Sequence, residues 1–264
     1  MKHAARVAVV MPAHNEARLI GAALASIPAW VDDVIVVDDG STDGTAAAAR
    51  ASGEPRVQVL RHDHNRGVGA ALTSGYRAAF AAGADVAVVM AGDGQMHPED
   101  LPALLAPALD GAADYVKGNR LSHPAVRRVM PGPRWVGNQV LSWLTRRATG
   151  LALHDSQCGY TVLTRRAAER LPLEDLWSRY GYPNDLLGLA AATGMTVRDV
   201  TVRPVYGTET SGVRWWHAAL VIPALLVRVA VRRWRARLLG APVLPPASPA
   251  RHGTEGPFVR VDRP

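Results

Sequence analysis

The chain has 264 residues, 48% of them hydrophobic and 20% charged, a composition that excludes a chain disordered along its whole length. Its single cysteine, Cys158, excludes a disulfide framework and a zinc site built on several thiolates. With 30 basic and 23 acidic residues the formal net charge is +7, which favours phosphate-bearing partners such as nucleotides and anionic lipids.

The first half of the chain alternates short apolar runs with alanine-rich segments. The predicted strands are 7–11, 34–37, 57–60, 86–90 and 115–116, and the predicted helices are 16–26, 44–51, 69–82 and 98–109. The runs at 7–11, 34–37 and 86–90 show no polar alternation, which is typical of strands buried on both faces. This alternation predicts an α/β fold with a mostly parallel sheet, whose ligands bind beyond the carboxyl ends of the strands.

The second half of the chain is less regular. It is predicted to contain a helix at 135–148, a strand at 160–164, a helix at 184–192, an extended segment at 195–206 and a helical pattern at 215–239 interrupted at Pro223. The first apolar run is too short for a secretory signal, and the longest, at 218–227, is shorter than the roughly 20 residues that span a bilayer. We therefore divide the chain into a main domain at 1–212, an amphipathic helix at 213–240 and a disordered, proline-rich tail at 241–264.

Polar turns follow the first, second and fourth predicted strands, at 12–16, 38–45 and 91–98. A serine or aspartate in such a turn could do no more than cap the next helix, and a glycine no more than make the turn. All three turns fall at the same edge of one parallel sheet, however, which favours a shared ligand site. Asp39 can accept hydrogen bonds from a base or a ribose, and Asp93 can approach a pyrophosphate if Mg²⁺ or Mn²⁺ bridges them.

Two glycines, Gly67 and Gly69, open the helix after the third strand. They let backbone N–H groups, or Arg66, approach an anion. The pair lacks the full dinucleotide fingerprint and does not follow the first strand, which counts against an NAD enzyme.

These segments together resemble the family 2 glycosyltransferases. The resemblance is carried by Asp-Asp-Gly-Ser-Thr-Asp-Gly-Thr at 38–45 and Asp-Gly-Gln at 93–95, in that order, and it spans residues 7–206. The segment Asp-Ser-Gln-Cys-Gly-Tyr at 155–160 is similar to one in the polyprenyl-phosphate mannose or glucose synthase branch. The resemblance implies a Rossmann-like GT-A fold, a UDP- or GDP-sugar donor, Mg²⁺ or Mn²⁺, and inversion at the anomeric carbon.

The resemblance also implies site residues, by matching position. Those that line the nucleotide-sugar pocket are Pro12, His14, Glu16, Asp38, Asp39, Gly67 and Asp93. Asp93 is the expected metal ligand, and Gln95 is its expected support. Arg120 matches an arginine that the family places near the donor phosphates, where it would stabilise the leaving group.

The chain departs from the family at one position. Where the branch usually has Asp-x-Asp-x-Gln, this chain has Ala-Gly-Asp-Gly-Gln at 91–95, so that Ala91 replaces the first acid. Asp93 with Gln95, donor phosphates and water could suffice, because Mg²⁺ often needs only one or two carboxylates. The alternatives are a weakened dependence on metal, or a non-catalytic protein that binds nucleotide sugars.

The sequence leaves the acceptor open between a lipid phosphate and a small hydroxyl compound. A lipid phosphate can attack with its own oxyanion, whereas a hydroxyl needs a carboxylate base. The resemblance makes Asp185 the first candidate for that base and Asp155 the second. Asp185 could instead be only a helix N-terminal charge that the helix dipole favours. The arginines between Arg120 and Arg147 suit a phosphorylated lipid, and they suit a solvated surface equally well.

The last predicted helix carries apolar bulk, tryptophans and a cluster of arginines, a pattern typical of an interfacial helix on anionic lipid. The alternative is a packing surface for a second copy of the chain. No recognised motif accompanies the arginines, so we do not expect nucleic-acid binding. We expect a cytoplasmic enzyme, peripheral on the inner face of the cell membrane. A soluble tailoring glycosyltransferase with a hydroxyl acceptor is the alternative.

Overall fold

A computed structural model describes residues 5–206 and 221–238 of the chain. The described residues form one sheet with the strand order β3-β2-β1-β4-β6-β5-β7. The strands are β1 (Val7–Ala13), β2 (Asp33–Asp38), β3 (Val57–Arg61), β4 (Val86–Val89), β5 (Tyr115–Asn119), β6 (Thr161–Thr164) and β7 (Val197–Thr201). Strand β1 pairs in parallel with β2 and β4, β2 pairs with β3, and β5 pairs with β7. The predicted mostly parallel sheet flanked by helices is confirmed.

Helices cover both faces of this sheet. They are α1 (Ile20–Ala25), α2 (Thr45–Arg50), α3 (Val68–Ala81), α4 (Leu101–Leu109), α5 (Val126–Val129), α6 (Gly132–Thr149), α7 (Arg165–Ala168), α8 (Tyr182–Ala192) and α9 (Ile222–Leu238). The helix predicted from residue 16 begins only at Ile20, because residues 17–19 form a turn in which the backbone N–H groups of Leu19 and Ile20 both donate to the Glu16 oxygen over 2.9 Å. The four-residue helices α5 and α7 were not predicted, since one turn is too short to show a hydrophobic period.

Alternate strand residues build two separate cores, one on each side of the sheet. Val9 and Val88 point to the side covered by α1 and α4, while Val10 and Val89 point to the side covered by α3 and α8. Helix α3 lies so close to the sheet that a Cβ on Gly75 would overlap the Val10 side chain. Each fully buried valine stabilises the fold by about 1.5–3 kcal/mol relative to an exposed one, so these two layers fix the strand ends firmly.

Strand β6 is the exception to the parallel arrangement, because it runs antiparallel to both β4 and β5. In this pairing Val89, at the carboxyl end of β4, lies opposite Thr161, at the start of β6. The loop that precedes β6 therefore lies at the edge where β1, β2 and β4 have their carboxyl ends. The antiparallel strand thus adds residues 154–160 to the edge that holds the three polar turns.

Helix α9 packs against α6 and α8 through Ile222, Leu225 and Val229. A Cβ on Gly188 of α8 would overlap Val229, so the two helices touch backbone to side chain. The beginning of the predicted helical pattern, at 215, and the predicted disordered tail at 241–264 lie outside the described residues. Within 5–206 and 221–238, every helix is too short or too polar to cross a bilayer.

Candidate functional site

The turns after β1 and β2 are joined into one unit by hydrogen bonds. The backbone N–H of Asn15 donates to the Ser41 hydroxyl over 2.9 Å, and the Asn15 side-chain oxygen accepts from the backbone N–H of Thr42 over 2.9 Å. Asn15 adopts φ +58°, a left-handed conformation that asparagine tolerates better than most residues. Because the two turns share these bonds, the polar residues on them have fixed relative positions.

Asp39 is buried, with 3% of its surface exposed, and its carboxylate fixes the start of α3. Its Oδ1 accepts from the backbone N–H of Arg66 over 2.9 Å, and its Oδ2 accepts from that of Gly67 over 2.7 Å. The Nδ1 atom of His62 lies 2.7 Å from Oδ1. A carboxylate has about four acceptor positions, so these three contacts leave capacity for one ligand group. The role of Asp39 toward a base or ribose stays a prediction.

The other predicted pocket residues on β1 and β2 differ in exposure. His14 is exposed, and its Nδ1 lies 2.9 Å from the backbone oxygen of Asp39. Pro12 is half-buried within β1. Asp38 is fully buried and accepts from the backbone N–H of Ser41, so its carboxylate shapes the turn from within. His14 is therefore on the surface beside Asp39, and Asp38 lies inside the turn; the roles of both toward a nucleotide stay predictions.

Glu16 and Asp93 form the acidic part of the site. Burial raises the pKa of Glu16, and the nearby charges of Asp93 and Asp43 raise it further. The Oδ1 atom of Asp93 accepts from the backbone N–H of Gln95 over 3.0 Å, so the predicted metal ligand and its predicted support belong to one tight turn. Two carboxylates that repel each other are a suitable donor set for a hard divalent cation, which takes oxygen ligands.

The number of carboxylates limits what kind of metal site this can be. In the described ranges, no group of three or more His, Cys, Asp or Glu side chains is placed to hold a metal ion without other ligands. Ala91 contributes only its backbone N–H, which contacts the sulfur of Met96 at 3.2 Å and closes the turn. The residues present therefore fit a cation that takes its remaining ligands from diphosphate oxygens and water.

Arg120 and Asp155 were predicted as catalytic residues, and the structure pairs them with each other. The Arg120 Nε lies 2.8 Å from Asp155 Oδ2 and Nη2 lies 3.1 Å from Oδ1, a two-pronged contact. Burial by itself would raise the pKa of Asp155, but the charge and hydrogen bonds of Arg120 outweigh it, and the pKa is lowered. Asp155 is thus ionised and engaged in orienting Arg120, whose Nη1 lies 3.4 Å from the Tyr206 hydroxyl.

Lys117 is a buried neighbour of the Arg120–Asp155 pair that was not predicted from the sequence. It is fully buried on β5, and its Nζ donates to the backbone oxygen of Cys158 over 2.5 Å. Burial lowers its pKa, and the charge of Asp155 partly opposes that effect. The chain has only two lysines among 30 basic residues, so a lysine in the middle of a strand was a signal that could have been followed.

Asp185, the first candidate base, lies under α9 and is fully buried. Its Oδ2 accepts from the backbone N–H of Trp177 over 2.9 Å, and its Oδ1 accepts from Nη1 of Arg232 over 3.0 Å. The Nε of Arg228 lies 3.6 Å from the same oxygen. In this arrangement the carboxylate is screened by two arginines, and it would act as a base only if α9 moved. Its catalytic role stays a prediction.

The contacts of Asn184, which precedes Asp185, were not predicted from the sequence either. Its side-chain oxygen accepts from the Thr145 hydroxyl of α6 over 2.8 Å and from the Gln157 side-chain nitrogen over 3.0 Å. These bonds tie α6, α8 and the loop before β6 to one another. The partners are 39 and 27 residues away along the chain, which is why no local pattern revealed them.

Comparison with known proteins gives the same family that the motifs indicated. Residues 8–171 match the family described as Glycosyl transferase family 2. The UDP-N-acetylglucosamine--dolichyl-phosphate N-acetylglucosaminyltransferase of Methanococcus voltae is 29% identical over 221 residues, which cover 78% of this chain and 88% of that protein. The polyprenol monophosphomannose synthase of Mycolicibacterium smegmatis is 32% identical over 205 residues, which cover 75% and 76%.

A solved structure shares the fold. It is the glucosyl-3-phosphoglycerate synthase of Mycobacterium tuberculosis in complex with Mn²⁺, UDP and phosphoglyceric acid, with a TM-score of 0.65 and 23% identity. The match covers 86% of this chain and 78% of that one. Since the family match covers more than half of the chain and the sheet edge carries the family's motifs in order, the chain belongs to glycosyl transferase family 2 and is a glycosyltransferase.

Proposed function

We propose that this enzyme transfers a sugar from a nucleotide-diphosphate sugar to a polyprenyl phosphate at a membrane surface, with inversion at the anomeric carbon. The observation that carries the proposal is the meeting of three polar turns and the loop before β6 at one sheet edge. The names of the Methanococcus and Mycolicibacterium relatives, which specify dolichyl phosphate and polyprenol, support the acceptor class.

The donor would lie across the turns after β1, β2 and β4. Asp39, His14 and Gly67 stand where a base and ribose would bind, and Glu16 with Asp93 stands where a diphosphate would bring a cation. When bound there, Mg²⁺ or Mn²⁺ supplies positive charge that stabilises the leaving diphosphate. The solved neighbour holds Mn²⁺ and UDP, and the Methanococcus relative is named for a UDP-sugar, which favours UDP over GDP as the nucleotide.

Both candidate bases form ion pairs with arginines, which favours a phosphate acceptor over a hydroxyl acceptor. Asp155 is held by Arg120, and Asp185 by Arg232 and Arg228, so neither carboxylate is placed to take a proton. A phosphate monoester is ionised at neutral pH and needs no such base. One of its oxygens would bond to the anomeric carbon as the bond from that carbon to the diphosphate oxygen breaks, with no proton transferred.

The outer side of α9 supports the membrane part of the proposal. Val227, Val231, Trp234 and Leu238 recur every three or four residues and are 43–65% exposed, on the side of the helix away from buried Val229. Helix α9 contains no acidic residue, and Arg235 and Arg237 flank this apolar stripe near its end. Such a helix suits an anionic bilayer surface, with its apolar stripe in the lipid and its arginines among the headgroups. We place that surface on the cytoplasmic side of the membrane.

Helix α6, beside α9, has the reverse of the usual arrangement. Its buried residues are polar, namely Asn138, Ser142, Thr145 and Thr149. Its exposed stripe is apolar, with Val136, Val140 and Trp143 each about half exposed. A helix that turns its polar side inward and its apolar side outward favours an apolar environment outside the fold. Both helices therefore support a location on lipid.

The test is transfer from UDP-sugars to a polyprenyl phosphate in anionic vesicles, with the lipid product identified by mass spectrometry. We expect transfer that needs Mn²⁺ or Mg²⁺, and we expect Asp93→Ala to lose it. The matched control is Asp110→Ala, which removes an exposed aspartate at the end of α4. Donor binding without transfer to any lipid, together with transfer to a hydroxyl compound, would identify the soluble tailoring enzyme instead. Binding without any transfer would support the non-catalytic alternative that Ala91 raises.

A further inference from the structure

Arg232 of α9 reaches into the domain and meets a carboxylate that has no access to water. Its Nη1 lies 3.0 Å from Oδ1 of Asp185, and its own side chain is only 21% exposed. The other oxygen of Asp185 accepts from the backbone N–H of Trp177 over 2.9 Å. The two oxygens of one carboxylate thus join the last described helix to the loop that precedes α8.

That loop lies directly on the start of α3. The backbone oxygen of Ser178 accepts from the N–H of Gly69 over 2.7 Å. A Cβ on Gly67 would overlap the Ser178 oxygen, and a Cβ on Gly69 would overlap the Trp177 oxygen. The contact is therefore backbone against backbone, and a shift of residues 177–178 must be followed by the first turn of α3.

The start of α3 also forms one side of the proposed nucleotide site. The N–H of Gly67 donates to Oδ2 of Asp39 over 2.7 Å, and the N–H of Arg66 donates to Oδ1 over 2.9 Å. A continuous line of hydrogen bonds and backbone contact thus runs from Arg232 through Asp185, Trp177–Ser178 and Gly67–Gly69 to Asp39. Rigid backbone and hydrogen-bonded pairs of this kind carry coupling between distant sites.

We infer that Arg232 is a positioning residue for the nucleotide pocket, and that docking of α9 on the domain and binding of the nucleotide therefore strengthen each other. This inference rests on the proposed nucleotide site. If Arg232 leaves, Asp185 loses its nearest cationic partner and keeps only Arg228, whose Nε lies 3.6 Å from the same oxygen. The buried carboxylate is then under-compensated and is driven toward water or toward protonation. Either change weakens the hydrogen bond from Trp177 to Asp185, and with it the packing of residues 177–178 against Gly67 and Gly69, which lie beside Asp39.

Coupling between two sites is reciprocal, which gives the inference a second consequence. A nucleotide that holds Asp39 and Gly67 in place also holds residues 177–178, and so favours the seated position of Arg232. A surface that holds α9 in place favours the nucleotide to the same extent. The enzyme would bind its donor more tightly when α9 is docked, through Arg232 rather than through any contact between helix and donor.

The experiment compares full-length variants in calorimetric titrations with UDP and Mn²⁺. Arg232→Gln is expected to weaken UDP binding about three- to tenfold, in the range of coupling energies carried by residues that touch neither ligand. The matched control is Arg233→Gln, because Arg233 also ties α9 to the domain but reaches the Ala148 carbonyl of α6, 3.3 Å away. We expect it to leave UDP affinity unchanged.

A double variant separates positioning from general damage to the fold. Asp185→Asn combined with Arg232→Gln removes the carboxylate charge that Arg228 alone compensates poorly, and it keeps an oxygen that can accept from Trp177. We expect it to recover UDP affinity to within about twofold of the wild type, as coupled neighbours do in such cycles. Amide hydrogen exchange at Gly69 should quicken in Arg232→Gln, remain slow in Arg233→Gln and slow again in the double variant.

Equal UDP affinity and equal Gly69 exchange in Arg232→Gln and Arg233→Gln would overturn the inference. So would a double variant no better than Arg232→Gln, since the effect would then not pass through Asp185. If the wild type bound no UDP at all, the proposed nucleotide site would fail. Amide exchange at Gly69 in the free protein would in that case still show whether Arg232 stabilises the contact between residues 177–178 and the start of α3.

Discussion

The guanidinium of Arg120 meets the carboxylate of Asp155 in a parallel, two-pronged contact, with 2.8 Å between Nε and Oδ2 and 3.1 Å between Nη2 and Oδ1. A third bond runs from the backbone N–H of Arg120 to Oδ2 over 3.1 Å. The Asp155 side chain is fully buried and that of Arg120 is 14% exposed. The pair is therefore assembled inside the protein, where each charge depends on the other.

Removing the arginine should destabilise the fold severely. We expect Arg120→Ala to lower the free energy of unfolding by about 3–5 kcal/mol, because it leaves Asp155 as a buried, unpaired charge. Arg77→Ala is the control, since Arg77 and Glu174 form an exposed pair at 3.5 Å and such pairs contribute about 0–1 kcal/mol. Urea unfolding of both variants measures the difference, and equal midpoints would contradict the assignment.

The same pair predicts a dependence of stability on acid. The pKa of Asp155 is lower in the folded chain than in the unfolded one, so its contribution is fully present above the ordinary aspartate pKa of about 3.9. It is lost as the pH falls through the lowered folded value. In urea unfolding at pH 7 and at steps below pH 4, the gap between wild type and Asp155→Asn should shrink toward low pH. A constant gap would mean that the charge of Asp155 is not what stabilises the fold.

Glu16→Gln should separate stability from cation binding. Burial and the charge of Asp93 raise the pKa of Glu16 in the folded chain. The ionised carboxylate therefore lowers the stability of the fold at a pH above that raised value, and it has no such effect at a pH below the unfolded pKa. At pH 7 the substitution should therefore raise the melting temperature of the ligand-free protein slightly. It should also weaken Mn²⁺-dependent UDP binding about 10- to 100-fold, as loss of a supporting carboxylate commonly does. Calorimetry with UDP in Mn²⁺ and in EDTA tests the second effect.

Gly69→Ala probes the contact between α3 and the loop before α8. The added methyl would overlap the Trp177 oxygen, and we expect a loss of about 1–3 kcal/mol in the free energy of unfolding. Gly137→Ala in α6 is the control, because nothing lies within 4 Å of its Cβ position. That variant should be neutral or about 0.5–1 kcal/mol more stable, as alanine is the better helix former. Denaturant melts of the two variants should move in opposite directions.

The apolar stripe of α9 can be tested by flotation on anionic vesicles. Leu238 is 65% exposed, and Leu238→Ser should weaken vesicle binding about tenfold or more, the equivalent of one buried leucine. Leu19→Ser is the control, since Leu19 is 44% exposed and lies ahead of α1. If neither variant changes flotation but Leu238→Ser abolishes self-association, the stripe is covered by a second copy of the chain instead of lipid.

The sheet could be predicted from the sequence because its strands are buried on both faces. Val7 to Met11 and Val86 to Val89 show no polar alternation, and the helices between them have the length that parallel crossovers need. The direction of β6 could not be predicted, because its four residues, Thr-Val-Leu-Thr, pair equally well in either direction. Its orientation depends on where the chain re-enters the sheet after α6, which local patterns do not record.

The candidate site likewise has residues that could be predicted from the sequence and residues that could not. The turns at Asp39 and Asp93 were predictable, since polar residues directly after buried strands must reach the same edge. The partners of Asp155 and Asp185 were not, because Arg120 and Arg232 lie 35 and 47 residues from them along the chain. Which arginine meets which buried carboxylate is decided by packing. A chain with many arginines offers too many candidates for spacing to choose among.

The burial of Lys117 makes it an internal reporter of unfolding. Its only fellow lysine, Lys2, lies outside the described residues, and nearly all the other positive charge is arginine, which amine reagents do not modify. The Lys117 amine is enclosed and bonded to the Cys158 carbonyl, so a reagent can reach it only after β5 opens. The rate at which this one amine is labelled would therefore report the opening of the sheet beside the candidate site, with no probe introduced.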